Sequence, residues 1–411
     1  YARIKKRYKN FIAGDKRGDA RALIDFANMY ELYREAGYLL DENSKDINIA
    51  AHSKKIKKST SQDAINKVMR KLKALAMSLA RRPEGSATWL EEHVPELVGK
   101  TILTISLEGN IPEFDRWPLI QNANTRGGLG AHYGDKFEGF DRIGVGENGS
   151  GIQPGYMFDK NGGYIDYEEL VNAGVLKEVK LLQDVEIWTW MSEDSTLSNI
   201  INGKNAVNGK ESWEFFRGWC KQQSHGNALL KVKFYEVVRK GAKRYIAVSP
   251  VWDRLYTEDR YHRFSQQVSL GKAVYEFCKK TNFVPDILHL NEGHAVIAAS
   301  EMRTDPAFDR MAIVVTDHTP VEAGHEKYEG PDLNRMTYVL GRGGEKFRQK
   351  FIRYKNGKWI VDFSDAIIEL ADVRNGVSKE HAGVTARLFE EIMREKTGAD
   401  RSINIVDVLN G

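Results

Sequence analysis

The sequence predicts an α/β fold built on a parallel sheet, with a helical region ahead of it. Three observations carry this reading. Residues 1–98 repeat apolar side chains at helical spacing and contain no strand-like run. Residues 101–107 (TILTISL) are a short β-rich run, the first strand expected. From residue 260 onward, helical and strand-like stretches alternate, the pattern of a parallel sheet covered by helices.

Within the helical region, residues 20–40 carry one amphipathic pattern, with Gly37 near its end. Residues 59–79 repeat the pattern behind a Ser/Thr cap cluster, and 81–86 (RRPEGS) close it. The division expected is thus 1–98, helical, and 99–411, the α/β domain. The glycine-rich stretch from 127 to 163 has too little apolar periodicity for long elements and reads as loops around a site. Residues 179–191 and 228–238 read as strands, with a helix at 210–222 (KESWEFFRGWCKQ) between them. A helix at 262–281, a strand at 285–290 (PDILHL), a helix at 293–303, a strand at 311–316 (MAIVVT) and a final helix at 382–397 complete the order.

Composition narrows the function classes. The chain of 411 residues has 61 basic and 57 acidic side chains and a net charge of +4, which is close to balanced. The basic runs RIKKR (3–7) and KKIKK (54–58) read as solvated helix faces, because no aromatic-rich motif accompanies them, so nucleic acid is not expected as a partner. Two cysteines, Cys220 and Cys278, form neither a disulfide framework nor a zinc pattern and suit a reducing, cytoplasmic setting. No apolar run approaches the ~20 residues that span a bilayer. The first residue is Tyr1 rather than Met, which leaves room for a segment ahead of it.

In parallel α/β sheets, ligands sit beyond the carboxyl ends of the strands. That rule selects Glu108 after the first strand, Asn291, Glu292, Gly293 and His294 after the second, and Asp317, His318, Thr319 and Pro320 after the third. A histidine at such an end can donate to a sugar hydroxyl or act as general acid or base. His289 and His294 are five apart, with His289 inside a strand, so they should not share a face and no metal site is expected. Gly127, Gly128, Leu129 and Gly130 would let a backbone approach an anion closely. The run is neither a Walker loop nor G-x-G-x-x-G, since Tyr133 stands where the third glycine would be. Asn375-Gly376 before Ser378 reads as a turn plus N-cap.

Taken together these segments resemble the glycogen and maltodextrin phosphorylases. The resemblance rests on Ser106-Leu107-Glu108, on Arg126 to Gly130 (RGGLG), on WDRLY from Trp252 and RFSQQVSLG from Arg263, on HLNEGHA from His289, on DHTPVEAGH from Asp317, and on NGVS from Asn375 with His381. The blocks follow the family's order over roughly two-thirds of the chain. The family implies a GT-B arrangement, two Rossmann-like domains around a cleft, of which this chain would supply the N-terminal one. The second domain, with the pyridoxal phosphate lysine and most basic phosphate ligands, would be absent from this chain, leaving it inactive alone.

By the same resemblance, Gly127 to Gly130 would bind phosphate and Glu108 would lie beneath them. His318 would bind the sugar as the catalytic residue. Asn291, Glu292, His294 and Asp317 would line the pocket. The expected reaction is phosphorolysis of an α-1,4-glucan to glucose 1-phosphate, with α-glucan and phosphate as partners, pyridoxal phosphate as cofactor and the N-terminal helices as a candidate homodimer surface. The alternatives are a nucleotide-sugar-dependent GT-B transferase resembling glycogen synthase and a non-catalytic glycan-binding or regulatory domain. The sequence departs from the family pattern at Gly109 and at Ala131, His132 and Tyr133, in the poorly matching loop 140–158, and in the motif-poor region 171–249, where Val248-Ser249-Pro250 replaces an Asp-rich strand end.

Overall fold

The computed structural model describes residues 87–408 apart from short stretches, the longest between 192 and 217 and at 320–324. The expected helices at 20–40 and 59–79, both basic runs and the candidate dimer surface lie outside the described residues. What is described forms one compact unit, Thr88–Asn410. No described helix is long and apolar enough to cross a membrane.

A short helix, α1 (Trp89–His93), is closed at its start by a reciprocal pair in which Thr88 and Glu91 each bind the other's backbone N–H. It leads into β1 (Ile102–Ile105), α2 (Gly128–Ile143), β2 (Gly149–Gly155) and α3 (Tyr167–Asn172). The chain continues through β3 (Leu176–Glu178), β4 (Val185–Trp190), β5 (Ala206–Val207), β6 (Lys210–Glu211), β7 (Cys220–Ser224), β8 (Asn227–Val237) and β9 (Lys243–Val248). Next come α4 (Arg260–Thr281), β10 (Ile287–Asn291), α5 (Val296–Met302) and β11 (Ala312–Asp317). The last part holds β12 (Lys327–Gly330), α6 (Leu333–Met336), α7 (Arg342–Phe351), β13 (Ile352–Lys355), β14 (Lys358–Asp362), α8 (Phe363–Leu370), β15 (Val373–Gly376), α9 (Lys379–Thr397) and β16 (Val406–Asp407).

The main sheet runs in the order β16-β15-β11-β10-β1-β2-β9-β8-β3. Every pair from β16 to β9 is parallel. Beyond β9 the sheet turns antiparallel, with β8 pairing β9, β3, β4 and β7. The fold is therefore mixed α/β with a mainly parallel sheet, as the alternation of elements requires. β1, β10 and β11 are adjacent, with Ile105 beside Leu290 and Leu290 beside Val315, so their carboxyl ends open at one edge. Their apolar side chains, among them Leu103, Ile105, Leu288, Leu290, Ile313 and Val315, are buried, as a sheet covered on both faces demands.

Two expectations fail. The glycine-rich stretch is not loops: residues 128–143 form the 16-residue helix α2, and 149–155 form the buried strand β2. Tyr133, Phe137 and Phe140 stand at helical spacing and pack on the glycines of β2. A Cβ on Gly151 would lie 2.1 Å from the Phe137 ring, and one on Gly149 2.6 Å from Phe140. Tertiary packing thus overrides the low helix propensity of Gly128, Gly130, Gly134 and Gly139. The same contacts account for two departures at once: Tyr133 fits only because Gly109 lacks a side chain, since a Cβ there would sit 2.5 Å from the tyrosine ring. The expected helix at 210–222 is replaced at its ends by β6 and β7. In β7, Cys220 lies opposite Leu230 of β8.

The polar edge of the parallel sheet

The side chains at the ends of β1, β10 and β11 form one hydrogen-bonded network. Ser106 donates its hydroxyl proton to the carbonyl of Glu108 at 2.7 Å. Its oxygen accepts from Asn291 Nδ2 at 3.2 Å. That bond turns Asn291 Oδ1 toward His318, which donates from Nε2 at 2.8 Å. The donor order leaves no choice: His318 carries its proton on Nε2, and Nδ1 is a bare acceptor. The sequence had suggested a histidine donating to a sugar hydroxyl. The network makes the ring an acceptor instead.

Glu292 holds the His318 backbone. Its Oε1 accepts from the His318 N–H at 2.8 Å and from the Thr319 hydroxyl at 3.2 Å. Glu292 itself adopts φ +73°, a conformation that costs a non-glycine residue on the order of 1–3 kcal/mol and needs the surrounding contacts to hold it. Burial, with the Asp317 charge beside it, pushes the Glu292 carboxyl above the usual glutamate range. Burial, followed by the neighbouring His132, Lys136 and His381, pushes His318 down to about 3, so its ring is neutral at physiological pH.

The other expected residues are distributed as follows. Glu108 is buried and accepts from the Tyr256 hydroxyl at 3.2 Å. Two residues on, the Asn110 N–H donates to the Gly130 carbonyl at 2.8 Å, which ties the end of β1 to the first turn of α2. Gly128, Leu129 and Gly130 form that first turn, and Gly127 lies outside the described residues. The Asp317 carboxylate turns toward α9, accepting from the Thr385 hydroxyl and from the Thr319 N–H, with His325 Nε2 3.7 Å away. His294 bonds Gln267 of α4 at 3.4 Å and faces Glu326 at 3.7 Å, so its bonds run to α4 and not to His318. Burial lowers it to about 4. His289 and His294 do face different partners: His289 lies inside β10 and bonds Thr316. A cavity lined by Glu292, Asp317, His325, Asn375 and Thr385 holds about 10 Å³, room for one water and not for a hexose.

Sequence reasoning missed His132 and Lys136. Both project from α2 toward the network, and the His132 and His318 rings meet edge to face at 4.7 Å. Their spacing of four was the available signal, lost once the stretch was read as loop. Asn375, read as part of a turn, is the last residue of a polar chain and lies in β15, while Ser378 caps α9 as expected, accepting from the His381 N–H at 3.2 Å.

Residues 198–399 match the family model described as the starch synthase catalytic domain, in agreement with the GT-B type expected. Among individual proteins, the chain is similar to a maltodextrin phosphorylase from Thermococcus litoralis, with 25% identity over 165 residues, covering 34% of this chain and 18% of the relative. Among solved structures, it is similar to the catalytic domain of starch synthase IV from Arabidopsis thaliana bound to ADP and acarbose, with a TM-score of 0.46 and 15% identity over 76% of this chain and 52% of that one. The chain thus spans a small part of the phosphorylase's length and about half of the synthase chain.

Proposed function

We propose that this domain is the sugar-holding half of an α-glucan glycosyltransferase of the starch and glycogen synthase type, using a nucleotide sugar as donor. The observation that carries the reading is the fixed His318 ring. Its Nε2–H is committed to Asn291 and its backbone N–H to Glu292. A preorganised acceptor nitrogen at a strand end is what a sugar hydroxyl can donate to without reorganising the site. In the transfer, the bond from the sugar's anomeric carbon to the donor phosphate breaks and a bond to the acceptor glucan's hydroxyl forms. The nucleoside diphosphate leaves, and the acceptor's proton is released. Positive charge grows on the sugar, so a neutral His318 suits this site better than a cation would. The extent of the starch synthase match, which includes β10, β11 and α9, favours this reading over phosphorolysis.

Phosphorolysis is the second reading, favoured by the likeness to the maltodextrin phosphorylase. It needs pyridoxal phosphate. Lys136, the lysine within this network, does not fit as the anchor, because its ammonium group is engaged by His289 at 3.0 Å. That reading needs a residue other than Lys136 to anchor the cofactor. The full-length protein should transfer glucose from ADP-glucose or UDP-glucose to maltooligosaccharides and show no pyridoxal absorbance. Glucose 1-phosphate formed from maltooligosaccharide and inorganic phosphate, with a Schiff-base absorbance, would establish the second reading instead. Absence of both activities would leave glycan binding as the function of the edge.

A further inference from the structure

Beneath His318 lies a second polar chain that neither reading uses. Lys136 Nζ donates to His289 Nδ1 at 3.0 Å, and the Thr104 hydroxyl approaches the same nitrogen at 3.5 Å. His289 Nε2 lies 2.7 Å from Thr316 Oγ1, and that hydroxyl donates to Asn375 Oδ1 at 3.0 Å. The order of donors again settles the proton: His289 bears it on Nε2, because Nδ1 already receives the lysine and the Thr316 proton is spent on Asn375. The chain runs from α2 across β10 and β11 to β15. It ends two residues below His318 on one strand and three residues before the Ser378 cap of α9 on the next.

We propose that Lys136 is a positioning residue for His318: its ammonium group, donated to His289 under the sheet edge, keeps both imidazoles neutral and in the Nε2–H form, so that His318 meets the transferred sugar as a hydrogen-bond acceptor. The inference rests on the sugar-holding role proposed above. The titratable groups that act on His318 come from each element around it: His132 and Lys136 from α2, and His381 from the start of α9. Those acting on His289 are Lys136, His318 and His132. Glu292, at the end of β10, binds the His318 backbone and not the ring. Among the described residues no carboxylate pairs with Lys136, whose own value burial lowers to about 7. Below neutral pH, where a histidine would take up its proton, the lysine is therefore charged and opposes that uptake.

The test is histidine nitrogen NMR on the full-length protein, comparing wild type with Lys136→Met and Lys136→Arg. Wild-type His318 should stay neutral and Nε2-protonated well below pH 5. In Lys136→Met its titration should move up by about one pH unit, the size of a nearby like charge removed, and His289 should lose its single tautomer. Lys136→Arg should restore both. An unshifted His318 in a folded Lys136→Met protein, or an arginine variant indistinguishable from the methionine one, overturns the proposal. The readout needs no turnover, so it stands apart from the function reading, which fails if wild-type protein neither binds nor transfers sugar. Where transfer is measured, the acid limb of the rate should move up in Lys136→Met and return in Lys136→Arg.

Discussion

The two halves of the main sheet handle polarity in opposite ways. Around β8, the antiparallel half alternates buried and accessible side chains along an eleven-residue strand. Its charges sit at the rim in simple pairs, Lys233 with Glu168 at 2.8 Å and Lys231 with Asp184 at 2.7 Å. At the ends of β1, β10 and β11, the parallel half instead buries Glu108, His289, Asn291, Glu292 and Asp317 together. Buried polar groups are costly unless every donor and acceptor is used. The first half needs only a pleat and a hydrophobic face. The second accepts a strained Glu292 and titrating groups held far from their usual values.

The largest expected effect lies at the polar edge. His318→Ala should reduce glycosyl transfer by the full-length protein by roughly 10²-fold or more, the scale of losing a positioned catalytic group, with unchanged circular dichroism. Near-normal transfer would erase the distinction between the halves. Next is the packing beneath it. Gly151→Ala places a methyl group 2.1 Å from Phe137, and denaturant unfolding should register a loss of about 1–3 kcal/mol. A neutral result would mean that α2 can shift, and the helix would no longer hold His132 and Lys136 in place.

Two pH effects of opposite sign sharpen the contrast. Glu292 has its folded value raised, so its favourable contribution is complete below the ordinary glutamate value of 4.5 and declines as pH rises through the folded value. Lys136 has its folded value lowered, so the unfolded chain binds the extra proton between about 7 and 10.5, and stability rises with pH across that window. In urea titrations, Glu292→Gln should remove the decline and Lys136→Met the rise. Smallest of all, Lys233→Ala should cost about 0.2–1 kcal/mol, because its partner Glu168 is half exposed.

The positions of β1, β10 and β11 were legible because these buried parallel strands are short, apolar and uninterrupted: ILHL and AIVV stand out between helices. The residues after them were legible for the same reason, since a polar cluster closing such a run has nowhere to go but the sheet edge. What could not be read was direction. His294 follows Glu292 by two residues, yet it bonds to α4 and not to His318. The tautomer of His318 depends on Ser106 and Asn291, which only the register between β1 and β10 brings together. The helix at 128–143 was hidden because its Gly134 answers to the backbone of Asn110, and its Tyr133 and Phe137 to Gly109 and Gly151, rather than to local propensity.

The most direct test is a crystal structure of the full-length protein with a glucose-bearing donor or a maltooligosaccharide. The account predicts a sugar hydroxyl donating to His318 Nδ1, with Nε2 still bonded to Asn291 and Glu292 still on the His318 backbone. A sugar ring bound away from the ends of β1, β10 and β11, with His318 untouched, would contradict it.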